Sequence, residues 1–197
     1  PRRTRLAYRL YRNPLVLFLV GSLYLFVVEY RIPPRNGAEK DRRSVHRTNL
    51  ALALTVLAMT WLIGLEAFLM IQAPILFLTA SAVPWLFYVQ HQFEDVYWAR
   101  KGQWNYVEGA LMGSSYYRLP KVLQWFSGNI GFHHIHHLSA KIPNYNLERC
   151  HRENPIFHQA PTLTLWSSFR CINYRLVDEE EGRLVSFRQI RHLARVA

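Results

Sequence analysis

The chain carries three long runs of apolar residues in its first half and a mixed polar and aromatic sequence afterwards. Leu15 to Val28 and Ala73 to Val89 contain no charged residue, and Leu50 to Ile71 contains only Glu66. The second and third runs are long enough to cross a hydrocarbon core of about 30 Å as helices, which takes roughly 20 residues. Neither run has a polar face at helical period, so we predict membrane spans and not buried helices of a soluble protein.

The only break between these two runs is formed by Gln72, Ala73 and Pro74. We therefore predict a transmembrane helical hairpin over residues 49–90, in which residues 49–71 lead away from one side of the membrane and residues 73–90 return to it. Both open ends of this hairpin would lie on the same side.

The first apolar run is short for a full span, and basic residues flank it on both sides. By the positive-inside rule both flanks favour the cytoplasm, which predicts a re-entrant or interfacial helix over residues 15–28. A full span remains open if one flank lies outside. We assign residues 1–48 to a basic cytoplasmic segment that contains this helix and a polar, Arg-rich loop at residues 31–47.

No run of span length follows His91, so residues 91–197 are predicted to form a cytoplasmic cap. Within its tail, residues 177–187 suggest two short extended pieces around a Glu-Glu-Gly turn, and residues 188–196 form a basic run suited to lipid headgroups. The predicted fold class is an all-α integral membrane protein, with a helical hairpin and a helical cap.

Composition and charge fit this division of the chain. The sequence is 50% hydrophobic and has a formal net charge of +11, a combination that is unusual for a soluble enzyme. We attribute most of the charge to positive-inside topology and anionic headgroups, and we do not expect a nucleic acid partner. Cys150 and Cys171 lack metal-site spacing and need not be paired in a cytoplasmic cap.

The most unusual local feature is the sequence HHIHH at residues 133–137. His133, His136 and His137 are spaced i, i+3, i+4, so a helix would project their imidazoles from one face. Three imidazoles on one face favour a bound cation over a pair of core histidines or a solvated basic face. This spacing alone fits iron, zinc or copper, and His134 cannot fully share the face.

His91 is a second candidate, because the predicted hairpin brings it to the side of the histidine cluster. A single histidine at a membrane interface usually contacts headgroups, but Glu94 and Asp95 follow it and could accept its second ring N–H. The remaining histidines, at positions 46, 151, 158 and 192, have no comparable neighbours and are interpreted as surface or interface residues.

These residues carry a resemblance to a known family. The stretches FYVQHQFEDVYW from Phe87, GSSYYRLPKVLQW from Gly113 and GNIGFHHIHHLSAKIPNYNLE from Gly128 resemble the C-terminal part of membrane-bound histidine-box fatty acid desaturases. The likeness is greatest to the bacterial enzymes that act on acyl chains of membrane phospholipids.

The resemblance implies a ligand set and a reaction. His133, His136 and His137 match the third histidine box, His91 matches an additional ligand, and His134 falls on a position that is not a ligand. The implied centre holds two non-haem irons and uses O2 to introduce a cis double bond into membrane-lipid acyl chains. A ferredoxin-type carrier would supply the electrons, and the implied location is the bacterial cytoplasmic membrane with the histidines on the cytoplasmic face.

The sequence also departs from the family pattern. The first two histidine boxes do not occur, and Pro1 is not an initiator methionine, so we expect the chain to start within a longer protein and to be inactive or poorly metallated alone. In the acyl-CoA members, an asparagine one turn before the additional histidine holds a metal-bound water. Phe87 occupies that position here, and Asn129 is a possible substitute.

Two other functions remain open at this point. A histidine-box membrane hydroxylase of the alkane or carotenoid type would share the metal, although GFHHIHHL followed by Pro-Asn-Tyr argues against it. A non-catalytic membrane sensor or receptor could use the same histidines to bind zinc. The identity of the bound metal separates these classes.

Overall fold

The computed structural model describes residues 2–190, and these are mostly helical. The chain divides into two compact units, Pro1–Trp85 and Leu86–Ala197, which are described in turn. Most of the basic run predicted at residues 188–196 lies outside the described residues.

The first unit begins with a series of short helices. These are α1 (Arg2–Tyr11), a π-helical turn (Val16–Val20), α2 (Gly21–Val27) and a 3₁₀ turn (Glu29–Arg31). The helix predicted at residues 15–28 is therefore present. Together, residues 2–11 and 16–31 are long and apolar enough for one span, but they bend by 58° at the break, as a broken span or a re-entrant segment would.

Two long helices follow, α3 (Glu39–Ile63) and α4 (Leu65–His91). They are separated at Gly64, whose φ of +83° is a backbone conformation that favours glycine. The break predicted at residues 72–74 is wrong, because these residues lie inside α4. An apolar helix tolerates an internal proline such as Pro74 when its neighbours satisfy the freed carbonyl.

The predicted ranges of the two spans change accordingly. Among residues 2–190, α4 is the only helix that is long and apolar enough to cross a membrane without a bend. The first two turns of α3 are charged and belong to the stretch predicted to be a polar loop, which leaves a shorter apolar part at residues 50–63. That α3 and α4 form a transmembrane hairpin with both open ends on one side of the membrane stays a prediction.

Side-chain contacts hold the short helices against the long ones within the first unit. The ring of Phe18 meets the ring of Trp85 edge-on at a centroid distance of 5.3 Å. Asn49 donates from its side-chain amide to the carbonyl of Arg31 at 2.7 Å and thereby ties the 3₁₀ turn to α3. The first apolar segment therefore packs against α4 near the end of this unit.

The second unit contains the end of α4 and a succession of short elements. Its helices are α5 (Tyr106–Leu111), α6 (Lys121–Phe126), α7 (His133–Leu138), α8 (Asn144–Glu153) and α9 (Leu165–Ser168). Three 3₁₀ turns lie at Ile130–Phe132, Pro155–Gln159 and Phe169–Asn173. Its strands are β1 (Tyr116–Arg118), β2 (Thr162–Thr164), β3 (Tyr174–Asp178) and β4 (Arg183–Ser186).

The strands form two small sheets, so the prediction of an all-α fold is incomplete. β1 and β2 pair in parallel, with Arg118 opposite Thr164, and β3 and β4 pair antiparallel. The antiparallel pair confirms the two extended pieces predicted for the tail, and Gly182 in its turn has a φ of +65°. In the parallel pair, paired residues are 46 positions apart in the sequence, and local sequence patterns do not reveal such a pairing.

A small apolar core organises the second unit. It consists of Leu111, Phe132, Ile135, Leu147 and Phe157, contributed by α5, α7, α8 and two of the 3₁₀ turns. Ile135 is the central residue of HHIHH and is fully buried. Packing of this one side chain fixes the rotation of α7 and thereby the directions of the histidines on either side of it. Cys150 and Cys171 are free thiols.

Candidate metal centre

Three imidazoles of the second unit converge at their Nε2 atoms. His91 Nε2 lies 3.0 Å from His133 Nε2 and 3.1 Å from His137 Nε2, and the last two atoms are 3.1 Å apart. Within the part of the chain that the structure describes, this is the one group of three or more possible metal-binding side chains whose ligand atoms meet. His91 arrives at the end of α4, and the other two project from one face of α7.

His91 is oriented by a backbone carbonyl. Its Nδ1 donates to the carbonyl oxygen of Gly113 at 3.0 Å, in the segment between α5 and β1. A Cβ atom at position 113 would lie 2.3 Å from the carbonyl oxygen of Gly109, so only glycine fits this approach. The expectation that Glu94 or Asp95 accepts the second ring N–H of His91 is therefore wrong.

Glu94 instead anchors the C-terminal hairpin. Its carboxylate accepts a hydrogen bond from the hydroxyl of Tyr174 at 2.6 Å and forms an ion pair with Arg183 at 3.3 Å. Its carbonyl accepts the N–H of Leu184 at 2.8 Å. Asp95 is exposed. The segment directly after His91 is thus held by β3 and β4.

The turn before α7 brings the box helix to its position. Gly128 and Asn129 both have positive φ values, of 62° and 60°, and the 3₁₀ turn at Ile130–Phe132 leads into His133. A Cβ at Gly131 would lie 2.2 Å from the carbonyl of Tyr117, so this glycine lets the turn pass close to β1. Close approach to β1 therefore explains one glycine of this turn.

The other end of α7 is held by a tyrosine. The hydroxyl of Tyr106 lies 3.0 Å from the carbonyl of His137 and 2.9 Å from that of Leu138, so its one proton is shared between two carbonyls at the helix C-terminus. The six-residue helix is therefore fixed at both ends as well as through Ile135.

The proton positions of this cluster favour a cation. Because Nδ1 of His91 donates to a carbonyl, its Nε2 carries a lone pair and not a proton. If Nε2 of His133 and Nε2 of His137 both carry a proton and donate to His91, their two N–H groups face each other at 3.1 Å. If one of them carries no proton, its lone pair faces the lone pair of His91 Nε2. A metal ion satisfies all three lone pairs at once, so these residues fit the metal that the sequence implies.

The protonation equilibria favour neutral imidazoles. Burial, followed by the nearby imidazoles of His91, His137, His136 and His134, lowers the pKa of His133 to about 3. Burial also lowers the pKa of His137, and His91 and His136 add to this effect. Neutral imidazole is the form that binds metals, so the cluster is ready to bind near neutral pH.

His136 is not part of the three-nitrogen group. Its ring stacks on that of His133 at a centroid distance of 5.7 Å and lies 6.2 Å from that of His137, and the side chain is exposed. Of the four predicted ligands, the structure brings together His91, His133 and His137 and leaves His136 beside them.

His134 points into different surroundings. It is fully buried, and its Nε2 lies 3.3 Å from Nδ1 of His151 on α8. His151 also packs against Tyr116 at a centroid distance of 4.6 Å and offers its carbonyl to His158. The expectation that His151 has no neighbours comparable to those of the cluster is wrong, because α8 packs on the back of α7, whereas His158 is exposed at the surface as interpreted.

The two residues considered for a metal-bound water have defined partners. The ring of Phe87 lies 4.8 Å from that of His91 and 6.1 Å from that of His133, so it covers one side of the cluster. The side-chain amide of Asn129 donates to the carbonyl of Asn144 at 2.9 Å. This nitrogen of Asn129 is therefore already engaged at the start of α8.

A helix that is long and apolar enough to cross a membrane, and that ends at imidazoles able to hold a metal ion, fits the class of membrane proteins with a metal site at one end of a span. The comparisons with known proteins identify the family within this class. Residues 1–167 match the family model described as "Fatty acid desaturase". The chain belongs to the fatty acid desaturase family, whose members are membrane-associated.

Individual relatives agree with this assignment. A "Fatty acid desaturase" of Bacillus subtilis is 46% identical over 192 residues, which cover 98% of this chain and 54% of the relative. An "sn-1 oleoyl-lipid 12-desaturase" of Synechocystis sp. is 25% identical over 199 residues, covering 93% of this chain and 51% of that protein. The chain spans about half the length of the curated relatives that it matches along most of its own length.

Proposed function

We propose that the complete protein is an O2-dependent acyl-lipid desaturase, and that this chain supplies part of its non-haem di-iron centre. The observation that carries the proposal is the convergence of three Nε2 atoms within 3.1 Å, in a chain of the fatty acid desaturase family. Imidazole is a suitable ligand for iron, and neutral imidazoles are available here.

The proposed reaction converts two adjacent methylene groups of an acyl chain into a cis double bond. The two hydrogens removed, together with two electrons and two protons from outside, reduce one O2 to two waters. Bound iron would supply the O2-dependent oxidation, and a ferredoxin-type carrier would supply the electrons. An acidic carrier would complement the net charge of +11.

The residues of this chain would position the ligands and exclude water. Gly113 fixes the tautomer and ring plane of His91, and the buried Ile135 sets the direction of His133 and His137. The ring of Phe87 covers one side of the cluster, which limits the access of water. We assign no general base, because the residues that contact the cluster serve as ligands or supports.

His136 would serve a second iron. Its ring stacks on His133 but lies outside the three-nitrogen group, and its exposed edge is open to ligands from elsewhere. The remaining ligands would come from the parts of the protein that correspond to the other half of the relatives' length. The Bacillus subtilis and Synechocystis proteins carry desaturase names, and the second is named for a lipid-bound acyl chain.

The proposed substrate is accordingly an acyl chain of a membrane lipid. α4 would span the bacterial cytoplasmic membrane with its His91 end on the cytoplasmic side, which places the cluster near the lipid headgroups. A lipid substrate could then reach the centre without leaving the bilayer.

The test compares variants of the complete protein expressed at matched levels in bacteria. Fatty acid analysis of the membranes should show loss of the unsaturated product for His137→Ala and retention for His46→Ala, an exposed histidine on α3. Metal analysis of the purified protein should show iron. Hydroxylated acyl chains would support a hydroxylase, and bound zinc without a change in lipids would support a sensor; either result would overturn the proposal.

A further inference from the structure

The polarity of α6 is the reverse of what a helix on a water-soluble surface shows. Its one buried residue is Gln124, of which 8% is exposed, while Trp125 and Phe126 are 74% and 75% exposed. Val122 and Leu123 are exposed as well. A surface helix in water normally buries its apolar stripe and exposes its polar residues, so the medium outside α6 is not simply water.

The short helix α9 has the same reversed polarity. It buries Ser168, whose hydroxyl forms a hydrogen bond of 2.9 Å with that of Tyr117, and it exposes 80% of Trp166. The ring of Trp166 lies 6.2 Å from that of Phe169 in the following 3₁₀ turn. Two separate helices of this unit therefore present tryptophan outward and keep a polar side chain inside.

The sheet topology places both helices at one end of the unit. β1 and β2 run in parallel with Arg118 opposite Thr164, so both strands end at the same edge. α9 begins directly after Thr164, and α6 begins three residues after Arg118. Both α6 and α9, which carry the exposed aromatic residues, therefore begin at the same end of the parallel pair.

This end is attached to the last turns of α4. The hydroxyl of Tyr88 approaches the carbonyl of Cys171 at 3.5 Å, and the side-chain amide of Gln92 donates to the carbonyl of Tyr174 at 2.9 Å. The 3₁₀ turn that follows α9 therefore lies beside the residues where the apolar helix ends. A span that crosses the bilayer reaches the headgroup region at this level.

Charge completes the pattern. Residues 116–130 and 162–173 contain three basic residues, Arg118, Lys121 and Arg170, all exposed, and no acidic residue. Tryptophan with neighbouring Arg or Lys is the combination that favours the boundary between headgroups and acyl chains, where an apolar ring and a polar edge are both accommodated.

We propose that α6 and α9 form a second membrane contact beside the end of α4. Trp125, Phe126 and Trp166 insert at the level of the lipid headgroups, and Arg118, Lys121 and Arg170 meet anionic headgroups. The partner is a lipid bilayer that contains anionic lipid. This contact depends on the position of α4 in the membrane and not on the metal or the reaction, so it can fail while the desaturase proposal stands.

Fluorescence quenching by brominated lipids tests the contact. In the complete protein, variants retain a single tryptophan of this chain, at position 125, 166 or 104, with every other tryptophan replaced by phenylalanine. Trp104 is the matched control, because it is 60% exposed but lies before α5 and belongs to neither helix of the proposed contact. The variants are reconstituted in phosphatidylcholine and phosphatidylglycerol brominated near the headgroup end of the acyl chains.

We expect emission from Trp125 and Trp166 to be lost to the brominated lipid, more strongly when phosphatidylglycerol is present, and emission from Trp104 to be largely retained. Quenching of Trp125 and Trp166 by acrylamide with no effect of brominated lipid would show an aqueous surface and overturn the proposal. Protection from both quenchers would show that protein covers the helices, which would overturn it equally.

A nitroxide label gives the same answer without tryptophan replacements. Val122→Cys on α6 is labelled in a Cys150→Ser background, in which Cys171 is buried, and Arg149→Cys on the exposed side of α8 is the control. The label at 122 should collide more with oxygen than with a water-soluble nickel complex, and the label at 149 should show the reverse. Equal preference for the nickel complex at both sites would contradict a membrane contact.

Discussion

His91 Nδ1 donates to the carbonyl oxygen of Gly113 at 3.0 Å, across 22 residues of sequence. This bond joins the end of the apolar helix to the segment that leads from α5 into β1. It fixes which nitrogen of His91 carries the proton and turns the lone pair of Nε2 toward His133 and His137. Orientation of a ligand by a backbone carbonyl is a common way in which proteins set the tautomer of a metal-binding histidine.

Gly113→Ala should weaken metal binding. The added Cβ would lie 2.3 Å from the carbonyl oxygen of Gly109, so the backbone must shift and the acceptor of His91 moves with it. We expect a loss of about 10–100-fold in metal affinity, as for other groups that orient a ligand. Gly109→Ala is the matched control, because its Cβ meets the exposed side chain of Trp104, which can move. Titration of both variants with ferrous or cobalt ion checks this, and equal affinities would remove Gly113 from the site.

Replacement of single histidines should separate two kinds of ligand. His133→Ala and His137→Ala each remove one of three convergent nitrogens and should abolish metal binding at this cluster, as should His91→Ala. His136→Ala should retain the metal held by these three residues but lose desaturation, since we assign its ring to a second iron. Metal content and membrane fatty acids are measured on the same preparations. Full desaturation by His136→Ala would contradict that assignment.

His134→Phe should lower stability more than metal affinity. It removes the buried partner of the half-buried His151 in a contact of 3.3 Å, and a fully buried polar group left unsatisfied costs about 1–3 kcal/mol, so we expect a loss toward the lower end of this range. Unfolding in detergent measures the free energy, and the double variant His134→Phe, His151→Phe should recover part of the loss. Metal release with unchanged stability would be the contrary result.

The anchor of the C-terminal hairpin should be sensitive to alkaline pH. Burial, then the hydrogen bond to Glu94 and its charge, raise the pKa of Tyr174 to about 12. The folded state therefore holds this proton more tightly than the unfolded state. The stabilisation is complete below about pH 10 and is lost as the pH rises toward about 12. Wild type should lose more stability than Tyr174→Phe over this interval, and parallel pH profiles would argue against the bond.

Cysteine labelling should locate the ends of α4. Leu65 and His91 bound a helix of 27 residues, about 40 Å long, which is enough to cross the bilayer. In a background with both native cysteines replaced by serine, Leu65→Cys should react with an impermeant reagent outside the cell. Gln103→Cys should react only after the cells are opened, and Ala73→Cys, inside the helix, should be shielded in both cases. Strong external labelling at Ala73 would restore a turn at that position.

The sequence predicted the histidine helix because its signal is periodic and local. His133 and His137 are one turn apart, and any helix over HHIHH places them together. The same reasoning includes His136, which the structure leaves beside the group, because the direction in which His91 approaches is not encoded in the spacing of the box. His91 itself was found from its place at the end of an apolar run.

Other features of the fold and the site were not predicted, because their sequence signal is weak or joins residues far apart in the chain. Gly64 ends α3 through its backbone conformation, which a sequence pattern does not show. Pro74 is the stronger helix-breaking signal in the sequence, but it lies inside α4, an apolar helix that tolerates it. Gly113 contributes its backbone carbonyl to the site, and because every residue has such a group, the sequence does not mark this one. His151 meets His134 only after the chain has turned through α8, so no local pattern connects the two.

The residues that anchor Glu94 are translated later than the histidines of the cluster. A ribosome completes all the histidines of the cluster well before it reaches Tyr174, Arg183 and Leu184, which hold the residue three positions after His91. At about 5–20 residues per second, this leaves the cluster without its anchor for several seconds of translation. We expect nascent chains arrested before residue 174 to release metal faster than chains arrested well beyond residue 186. Stable metal binding would then be a late event in translation.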